Sequence, residues 1–422
     1  MRKVLLFVAL FLPFCSFSQD TIRFLQQNLL YYGVTFQTCT DETDSRNVYL
    51  KTIVDYVKPD IFAANEVSSN SSKQLSILND VLNAGGSSDF SQASLTNYAG
   101  SNIVNPLYYN HNKLGLASYT GIHTDTRDVN VYKLYHKTAD LATGADTIYI
   151  TCLVAHLKAG STDADDTARA IQTDSIMAFL QRTMIGSQNY FLMGDLNIYQ
   201  SNDAAFQHLI STPDANIRFY DPINKLGTWN NNAAFALYHT QSTNCPRPCS
   251  ATGGMDDRFD WILVSNAIKY GTKNILCLPS TYKAVGQDGL LFNQSFTTST
   301  IVPPQVADAL YNMSDHLPVT MDVVISRSLG VRSWSADDYS PDIGYILYEN
   351  GRLMYEIDVK EPGDHQIRVL SMQGRVVAEE ISDFQKGSHV GITDLPSLSP
   401  GLYFLSIAGY DGSLCVKKFF IK

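Results

Sequence analysis

The sequence has no block of lysine and arginine, few cysteines for its length, and no long hydrophobic run beyond its first residues. Of its 422 residues, 41 are acidic and 31 are basic, so its formal net charge is -10. This charge argues against a protein that holds polyanions by bulk basicity, and a phosphate-bearing substrate would need another positive group, such as a metal ion. The 7 cysteines are too few for a disulfide scaffold of this size. Hydrophobic residues make up 45% of the chain, which is enough for a sizeable core.

The apolar run from Val4 to Phe14 is too short to span a membrane. A basic pair precedes this run and small residues follow it, which is the pattern of a secretory signal peptide over residues 1–18. No later stretch is long and apolar enough for a stable membrane span. We therefore expect a protein that is secreted or displayed at the cell surface.

Export permits disulfides, and the short loop from Cys245 to Cys249 is a candidate site for one. The two cysteines either close on each other or pair elsewhere. We favour a structural disulfide over a zinc site because no further zinc ligands lie near them. Cys152 lies within an apolar strand-like run, which predicts a buried small hydrophobic residue.

Residues 19–326 alternate short apolar runs with helical patterns, which predicts an α/β domain. Stretches rich in glycine, serine and asparagine at 83–105 and 226–256 predict long surface loops. The strands are predicted at 21–27, 61–64, 147–155, 190–193, 259–264 and 317–325, and the helices at 48–57 and 166–182.

The composition and the pattern of the sequence change after residue 326. Residues 327–342 are polar and predict a linker. Short strand-like runs then alternate with turn dipeptides such as Asn350-Gly351 and Pro400-Gly401. This spacing predicts a small all-β sandwich over residues 343–422.

Polar side chains lie at the ends of the predicted strands of the α/β domain. Each has an ordinary structural explanation when taken singly; for example, Asp260 is a candidate partner for Arg258. Because strand ends at one edge of a sheet lie close together, we expect the whole set to converge. Its members are Asn28, Glu66, His156, Asp195, Asn197, Asp260, Asp315 and His316.

Such a group of carboxylates would repel one another without a cation. Oxygen ligands suit Mg²⁺, Mn²⁺ or Ca²⁺ better than zinc. A histidine next to a carboxylate is suited to act as a general base, and amides and a second histidine are suited to hold phosphate oxygens. The set therefore predicts metal-assisted hydrolysis of a phosphoester.

The motifs around these residues resemble those of the endonuclease/exonuclease/phosphatase superfamily, in the order found in that family. The resemblance implies a deoxyribonuclease I-like four-layer α/β sandwich with two central sheets. The motifs are Asn28, Asn65-Glu66, His156-Leu157, Gly194-Asp195-Leu196-Asn197, Arg258-Phe259-Asp260-Trp261 and Ser314-Asp315-His316.

The resemblance implies a metal site and a role for each matching residue that binds the ion. Glu66 is implied as the main ligand, with Asn28 beside it. Asp315 would complete the network of metal contacts and hydrogen bonds. The implied ion is Mg²⁺, with Mn²⁺ or Ca²⁺ as alternatives.

The same resemblance implies five catalytic residues. His316 would take a proton from the attacking water, and Asp260 would orient it. Asp195 would position that water, while Asn197 and His156 would hold the phosphate oxygens. Water would then attack phosphorus in line with the leaving group.

Three features bear on which subfamily the chain resembles. His156 is typical of deoxyribonuclease I, sphingomyelinases and many phosphatases, whereas exonuclease III-like repair enzymes usually lack it. The residue before Glu66 is Asn65, where glutamine is common in the family. The Pro-x-Trp-x-Asp-Arg signature of inositol polyphosphate 5-phosphatases is not met, since Gly254-Met255-Asp256 precedes Asp257-Arg258.

Two nearby pairs of residues leave alternatives open. Lys158 and Arg169 follow His156 and supply either positive charge to the site or ordinary salt bridges. Tyr108 and Tyr109 lie where the family often has a strand near the site, and the sequence does not choose between them.

The C-terminal segment carries a second resemblance. The run Ser399-Pro400-Gly401-Leu402-Tyr403-Phe404 and the terminal Lys417-Lys418-Phe419-Phe420-Ile421-Lys422 are similar to a type A sorting domain of type IX secretion. The resemblance implies passage across an outer membrane by the type IX machinery, and cleavage of this domain as an option. The alternative is a β-sandwich accessory domain that binds carbohydrate or a surface.

These observations favour a secreted metal-dependent phosphoester hydrolase, most consistent with a nuclease or phosphodiesterase on extracellular DNA or RNA. The alternative is a phosphatase or a sphingomyelinase-like phospholipase C. A catalytically inert surface-binding protein is the third hypothesis, and the joint presence of the proposed site residues argues against it.

Overall fold

The computed structural model describes residues 20–36, 38–138, 141, 147–183, 186, 188–325, 342–349, 351–396, 398–409 and 414–421. The predicted signal peptide over residues 1–18 lies outside the described residues, and so does the predicted linker over 327–342, apart from Asp342. Within the described ranges, no helix combines the length and the hydropathy needed to cross a membrane.

The chain before residue 326 forms two β-sheets and their flanking helices. Its strands are β1 (Asp20–Tyr32), β2 (Ile61–Ser68), β3 (Phe90–Gln92), β4 (Ile103–Val104), β5 (Leu107–Asn110), β6 (Leu114–Ile122), β7 (Val129–His136), β8 (Tyr149–His156), β9 (Tyr190–Asp195), β10 (Phe219–Tyr220), β11 (Asp260–Ser265), β12 (Ile275–Ala284) and β13 (Val319–Ile325). Its helices are α1 (Thr43–Val57), α2 (Ser71–Ser76), which continues into a π-helical turn (Ile77–Leu82), α3 (Asp163–Thr183), α4 (Ala204–Ile210), α5 (Asn266–Tyr270) and α6 (Pro304–Met313), with short 3-10 helices at Ala84–Gly86 and Ala233–Tyr238.

The first sheet has the strand order β12-β13-β1-β2-β5-β3, and β4 pairs with β2. Helix α1 places Leu50, Ile53 and Val57 on one face, at the spacing of an amphipathic helix. That face packs with α6 against outward side chains of the sheet such as Leu25 and Phe62.

The second sheet has the order β10-β11-β9-β8-β7-β6. Helices α3 and α4 cover its outer face, where Ile176 and Phe206 pack with Leu192. The inner faces of the two sheets meet through residues such as Phe24 and Met193. Because successive strand residues point to opposite faces, strands buried on both sides are apolar throughout. The layers are helix, sheet, sheet, helix, which confirms the predicted four-layer α/β sandwich.

The C-terminal strands form two further sheets that pack face to face. Their inner side chains, among them Leu353, Ile357, Ile367 and Leu405, form one apolar core. This arrangement confirms the predicted small all-β sandwich. The strands are β14 (Asp342–Glu349), β15 (Arg352–Val359), β16 (Gly363–Ser371), β17 (Val376–Phe384), β18 (Gly387–Asp394), β19 (Gly401–Gly409) and β20 (Leu414–Ile421), in the orders β14-β15-β18 and β17-β16-β19-β20.

The strands and helices predicted for residues 19–326 all occur, but several others were missed. Strands β6, β7 and β12 are among those missed, because their polar and apolar residues do not alternate regularly. The stretches predicted as surface loops need correction: 83–105 includes β3 and β4. The stretch 226–256 includes buried side chains such as Trp229, Thr240 and Thr243. It is not a free surface loop, because its backbone lies against the residues that precede β13.

Candidate active site

Strand register aligns the predicted site residues along one edge of the two sheets. In the second sheet, His156 of β8 lies opposite Asp195 of β9, which lies opposite Asp260 of β11. In the first sheet, Asn28 of β1 lies opposite Asn65 of β2, the residue before Glu66. The two rows face each other across the gap between the sheets.

Two of the motifs precede their strands instead of following them. Asp260 begins β11, and Asp315-His316 comes before β13. Both strands run antiparallel to a neighbour whose carboxyl end lies at the site, so their starting ends reach the same edge. The prediction of one converging edge therefore holds although not every residue follows a strand.

Gly194 allows β8 and β9 to approach closely beside the site. Its φ is 140°, and a Cβ there would lie 1.8 Å from the carbonyl oxygen of Ala155. A side chain would force the two strands apart, and with them His156 and Asp195.

His316 is held between carboxylates by its two ring nitrogens. Its Nδ1 lies 2.7 Å from Oδ2 of Asp260, and its Nε2 lies 3.8 Å from Oδ2 of Asp195. Burial alone would lower the pKa of His316, but Asp260 and Asp195 raise it well above its usual value. Asp260 also accepts a hydrogen bond from Nε2 of Gln26 at 3.1 Å, which fixes the carboxylate that orients the ring.

Glu66, His156 and Asp195 form a compact group of donor atoms. One ligand atom from each lies within 4.8 Å of the other two. Nε2 of His156 is 3.6 Å from Oε1 of Glu66 and 3.6 Å from Oδ2 of Asp195. The amide of Asn28 links the two acids, since it donates to Glu66 at 3.1 Å and to Asp195 at 2.9 Å.

The surroundings of the acids in this group disfavour their ionised forms. Burial raises the pKa of Glu66, and Asp315 raises it further. Burial also raises the pKa of Asp195 to about 7, with His316 opposing and Asp260 adding to the increase. Burial, together with Arg127 and His316, lowers the pKa of His156 well below its usual value, so its ring is neutral.

Asn197 and Asp315 complete the predicted set. Asn197 has a left-handed backbone, with φ of 50°, and its N–H donates to Oδ1 of Asp195 at 3.0 Å. Oδ2 of Asp315 accepts from the N–H of Ala251 at 2.9 Å, whereas its buried Oδ1 receives no hydrogen bond from the described residues. That Oδ1 lies 4.0 Å from Nε2 of His316.

This donor set fits a divalent cation. Asp195 and Asp315 are buried and Glu66 is largely so, two of these acids have raised pKa values, and one buried oxygen of Asp315 has no donor among the described residues. A hard cation would relieve the repulsion among these oxygens. The geometric group of Glu66, His156 and Asp195 overlaps the predicted ligands Asn28, Glu66 and Asp315 only at Glu66.

Two alternatives left open by the sequence are decided by these contacts. Nζ of Lys158 pairs with Asp165 at 2.5 Å, and Arg169 pairs with Asp166, so both cations form local salt bridges. Arg258 pairs with Asp221, through two contacts of 2.9 Å, and not with Asp260.

Neither candidate tyrosine reaches the site. Tyr108 is fully buried and donates its hydroxyl to the carbonyl of Gln74 at 2.9 Å. Tyr109 belongs to the core between the two sheets.

Two polar residues at the site were missed in the sequence. Nε of Arg127 donates to the carbonyl of His156 at 3.2 Å, and its charge interacts with Glu66 and Asp195. Nε2 of Gln241 lies 2.6 Å from Nε2 of His316. Neither occurs in a motif at a strand end, so no local signal distinguished them.

A disulfide joins Cys39 to Cys249, and the predicted loop cysteine Cys245 is free and buried beside it. The two loop cysteines therefore do not close on each other, and Cys249 pairs with a cysteine outside the loop. Cys152 is fully buried in β8, as predicted.

The chain belongs to the Endonuclease/Exonuclease/phosphatase family, whose profile matches residues 38–316. Membership indicates a phosphoesterase of a family whose enzymes depend on divalent metals. The Secretion system C-terminal sorting domain matches residues 350–422, which implies handling by type IX secretion. No curated protein matches the chain.

Solved structures of the same fold are distant in sequence. An endonuclease/exonuclease/phosphatase from Beutenbergia cavernae is 12% identical, with a TM-score of 0.42, and the alignment covers 95% of this chain and 100% of that one. The human Nocturnin catalytic domain is 14% identical, with a TM-score of 0.44 and coverage of 73% and 98%. TDP2 from D. rerio, complexed with a single-strand DNA product, is 12% identical, with a TM-score of 0.45 and coverage of 72% and 99%. The fold assignment therefore rests on the layers described above and on the family match.

Proposed function

We propose that this protein is a secreted, divalent-metal-dependent phosphodiesterase, a nuclease that cleaves DNA or RNA outside the cell. The observation that supports it best is the line Asp260–His316–Asp195, which lies beside the Glu66, His156 and Asp195 donor group. This arrangement supports the proposal because a proposed base, a proposed water-orienting carboxylate and a set of hard ligands lie together at one edge.

Glu66 would hold the metal ion, with support from Asn28 and from the oxygens of Asp195 and Asp315. When bound, a divalent cation stabilises negative charge that develops on phosphate oxygens. The ion would be Mg²⁺, with Mn²⁺ or Ca²⁺ as alternatives, because the ligands are mostly oxygen.

His316 is placed to take a proton from the attacking water. Its Nδ1–H donates to Asp260, which leaves Nε2 as the atom that takes the proton. The carboxylates of Asp260 and Asp195 raise the pKa of His316, so they stabilise the ring once it has taken that proton. Asp195 accepts from Asn28 and Asn197, so its carboxylate is fixed and can orient that water. The water then attacks phosphorus in line with the leaving oxygen.

The phosphate would be held by uncharged and cationic donors on the same edge. Asn197 and the ring of His156 are the predicted donors, and Arg127 supplies a positive charge close to them. A single guanidinium at the site explains how an acidic protein can accept a phosphodiester without a basic groove.

Two sequence features support export. The N-terminal sequence pattern predicts a signal peptide, and the C-terminal match is to a sorting domain. We propose that the protein leaves the cell by type IX secretion and acts outside it or at its surface.

The test is an activity panel on the chain from residue 19 to its C-terminus. Single-stranded DNA, plasmid DNA, RNA, sphingomyelin and inositol phosphates are supplied with Mg²⁺, Mn²⁺ or Ca²⁺, and then with a chelator. We expect metal-dependent cleavage of nucleic acid, and loss of that cleavage in Glu66→Gln. The matched control is Glu349→Gln, which alters an exposed acid of the β sandwich and should not affect cleavage.

Cleavage of a lipid or a small phosphomonoester in place of nucleic acid would support the proposed metal-dependent hydrolysis and show that nucleic acid is not the substrate. Absence of cleavage on every substrate, or full activity of Glu66→Gln, would refute the proposed function.

A further inference from the structure

A stacked aromatic pair, Tyr31 and Phe36, lies beside the proposed metal ligand. The backbone N–H of Tyr31 donates to Oε2 of Glu66 at 3.0 Å. The two rings stack with centroids 4.5 Å apart and an angle of 18° between their planes. Phe36 is 40% exposed, whereas Tyr31 is half-buried. One ring therefore supports the other, and the outer ring is open to a ligand.

The backbone of β1 is irregular at Tyr31, beside the site. Leu30 and Tyr31 have left-handed φ values of 42° and 48°, which are unfavourable for residues with a Cβ. The pairing of β1 with β2 changes register between Asn28 and Tyr32, where these residues lie. An unfavourable backbone next to a proposed ligand is typical of a functional position.

Covalent and backbone contacts hold the outer ring in place. Phe36 pairs with Cys39 through two backbone hydrogen bonds, of 2.8 and 3.2 Å. Cys39 is bonded to Cys249, and Ala251 two residues later donates its N–H to Asp315. The aromatic pair is thus connected at both ends to the polar site.

The aromatic pair is adjacent to the proposed metal ligand, because Tyr31 contacts Glu66 through its backbone and Phe36 through its ring. A group bound against this pair would therefore lie next to the phosphate that the site is proposed to hold.

We propose that Phe36, supported by Tyr31, stacks against the nucleobase adjacent to the scissile phosphate and gives the enzyme a preference for unpaired nucleotides. This proposal rests on the proposed function and names its substrate more closely. Every base has a flat π face, and stacking on an aromatic side chain is a common way to bind single strands without a specific sequence. A base inside a duplex does not offer its face to such a ring.

The surroundings of Phe36 favour a base over a lipid. Its neighbours Thr35 and Thr38 are exposed and polar. Membrane insertion needs several apolar side chains on one face, whereas stacking needs one flat ring. The formal net charge of -10 also disfavours broad contact with the anionic surface of a duplex, and is compatible with a short contact to one strand.

The experiment compares a single-stranded oligonucleotide with copies that lack one base, at each side of the cleaved bond in turn. For the unaltered protein, loss of the stacked base should raise KM by roughly 5- to 150-fold, which is the range expected for base–aromatic stacking. Phe36→Ala should bind the intact oligonucleotide as weakly as the unaltered protein binds the abasic one. Phe36→Trp should restore the difference. The matched control is Phe420→Ala, which removes an exposed ring of the β sandwich and should preserve the discrimination.

The outcomes separate this proposal from the proposed function. If the protein cleaves oligonucleotides but Phe36→Ala still distinguishes intact from abasic strands, the stacking proposal is wrong and the nuclease remains. If Phe36→Ala loses only binding to phosphatidylcholine–sphingomyelin vesicles, the ring serves a lipid and the proposal is also wrong. If no nucleic acid is cleaved by the unaltered protein, the proposed function itself fails.

Discussion

Two buried polar clusters flank the start of β11, and they differ in how their charges are satisfied. In the Arg258 cluster (Arg258, Asp221, Trp261 and Tyr282), the guanidinium makes two contacts of 2.9 Å with Asp221. It also lies 3.6 Å from the ring centre of Trp261 and 3.4 Å from the hydroxyl of Tyr282. Its one positive and one negative charge are matched, although the buried Nε of Arg258 has no acceptor among the described residues.

The site cluster contains Glu66, Asp195, Asp260 and Asp315, close to His316 and Arg127. Its charges are not paired one to one, and the pKa values of Glu66 and Asp195 rise because burial disfavours their ionised forms. Only Phe259 separates Arg258 from Asp260 in the sequence, yet the two residues belong to different clusters. A buried charge therefore indicates function only where its partners leave it incompletely satisfied.

The largest expected effect comes from Asp195→Asn in the site cluster, which should lower activity and raise stability. Cleavage should fall by about 10²–10⁴-fold, because the fixed carboxylate that orients water is lost. In the presence of a chelator at pH 8, the free energy of unfolding of the variant should be about 0.5–2 kcal/mol higher than that of the unaltered protein, because a costly buried charge has been removed. Activity assays and denaturant unfolding measure the two effects.

The pH dependence of stability gives the sign of that effect. A carboxyl whose folded pKa is about 7 binds its proton more tightly in the folded state than in the unfolded state. In chelator, the unaltered protein should therefore lose stability as the pH rises from about 4 to 7. The Asp195→Asn variant should lose less over the same range. A steeper loss in the variant would contradict the assignment.

Asp221→Ala, in the Arg258 cluster, should lower stability and leave activity intact, which is the opposite of the result expected for Asp195→Asn. Removal of one partner leaves a buried guanidinium without its counter-charge, so the free energy of unfolding should fall by about 3–5 kcal/mol. Cleavage per folded molecule should persist, since Asp221 does not contact the site residues. Chemical denaturation, with activity scaled to the folded fraction, tests both points. Loss of activity at full stability would show that the two clusters are not independent.

The sequence predicted the site residues better than it predicted their partners. The side chains of Asp195 and Asp260 lie at strand ends, and strand register alone brings them opposite each other. Arg127 and Gln241 come from irregular segments whose paths depend on tertiary packing, so no periodic pattern marks them. The pairing of Cys249 with Cys39 also depends on the fold, because 210 residues separate them.

The same reasoning explains the errors in the fold. Burial on both faces makes β8 and β9 continuous apolar runs, which are easy to read. Strand β6 exposes much of its length, and its alternation is interrupted near Gly115 and Gly121. The stretch 226–256 is rich in asparagine and glycine and was interpreted as surface. Instead, Thr240 and Thr243 donate their backbone N–H groups to the carbonyls of Asp257 and Asp315, and composition does not reveal these contacts.

The smallest expected effects compare Arg127 with Lys158, a second cation that follows His156 by two residues. Arg127→Met should weaken catalysis by roughly 10- to 150-fold, the range for one charged hydrogen bond, mainly through KM. Lys158→Met should change it by less than about twofold, because Nζ of Lys158 already pairs with Asp165. Both substitutions remove one charge from a long side chain, so each is the control for the other. Equal effects would mean that the net charge near the site matters and the position of the guanidinium does not. A large effect of Lys158→Met alone would mean that its salt bridge opens when the phosphate binds, and the distinction between satisfied and unsatisfied charges would then fail at this edge.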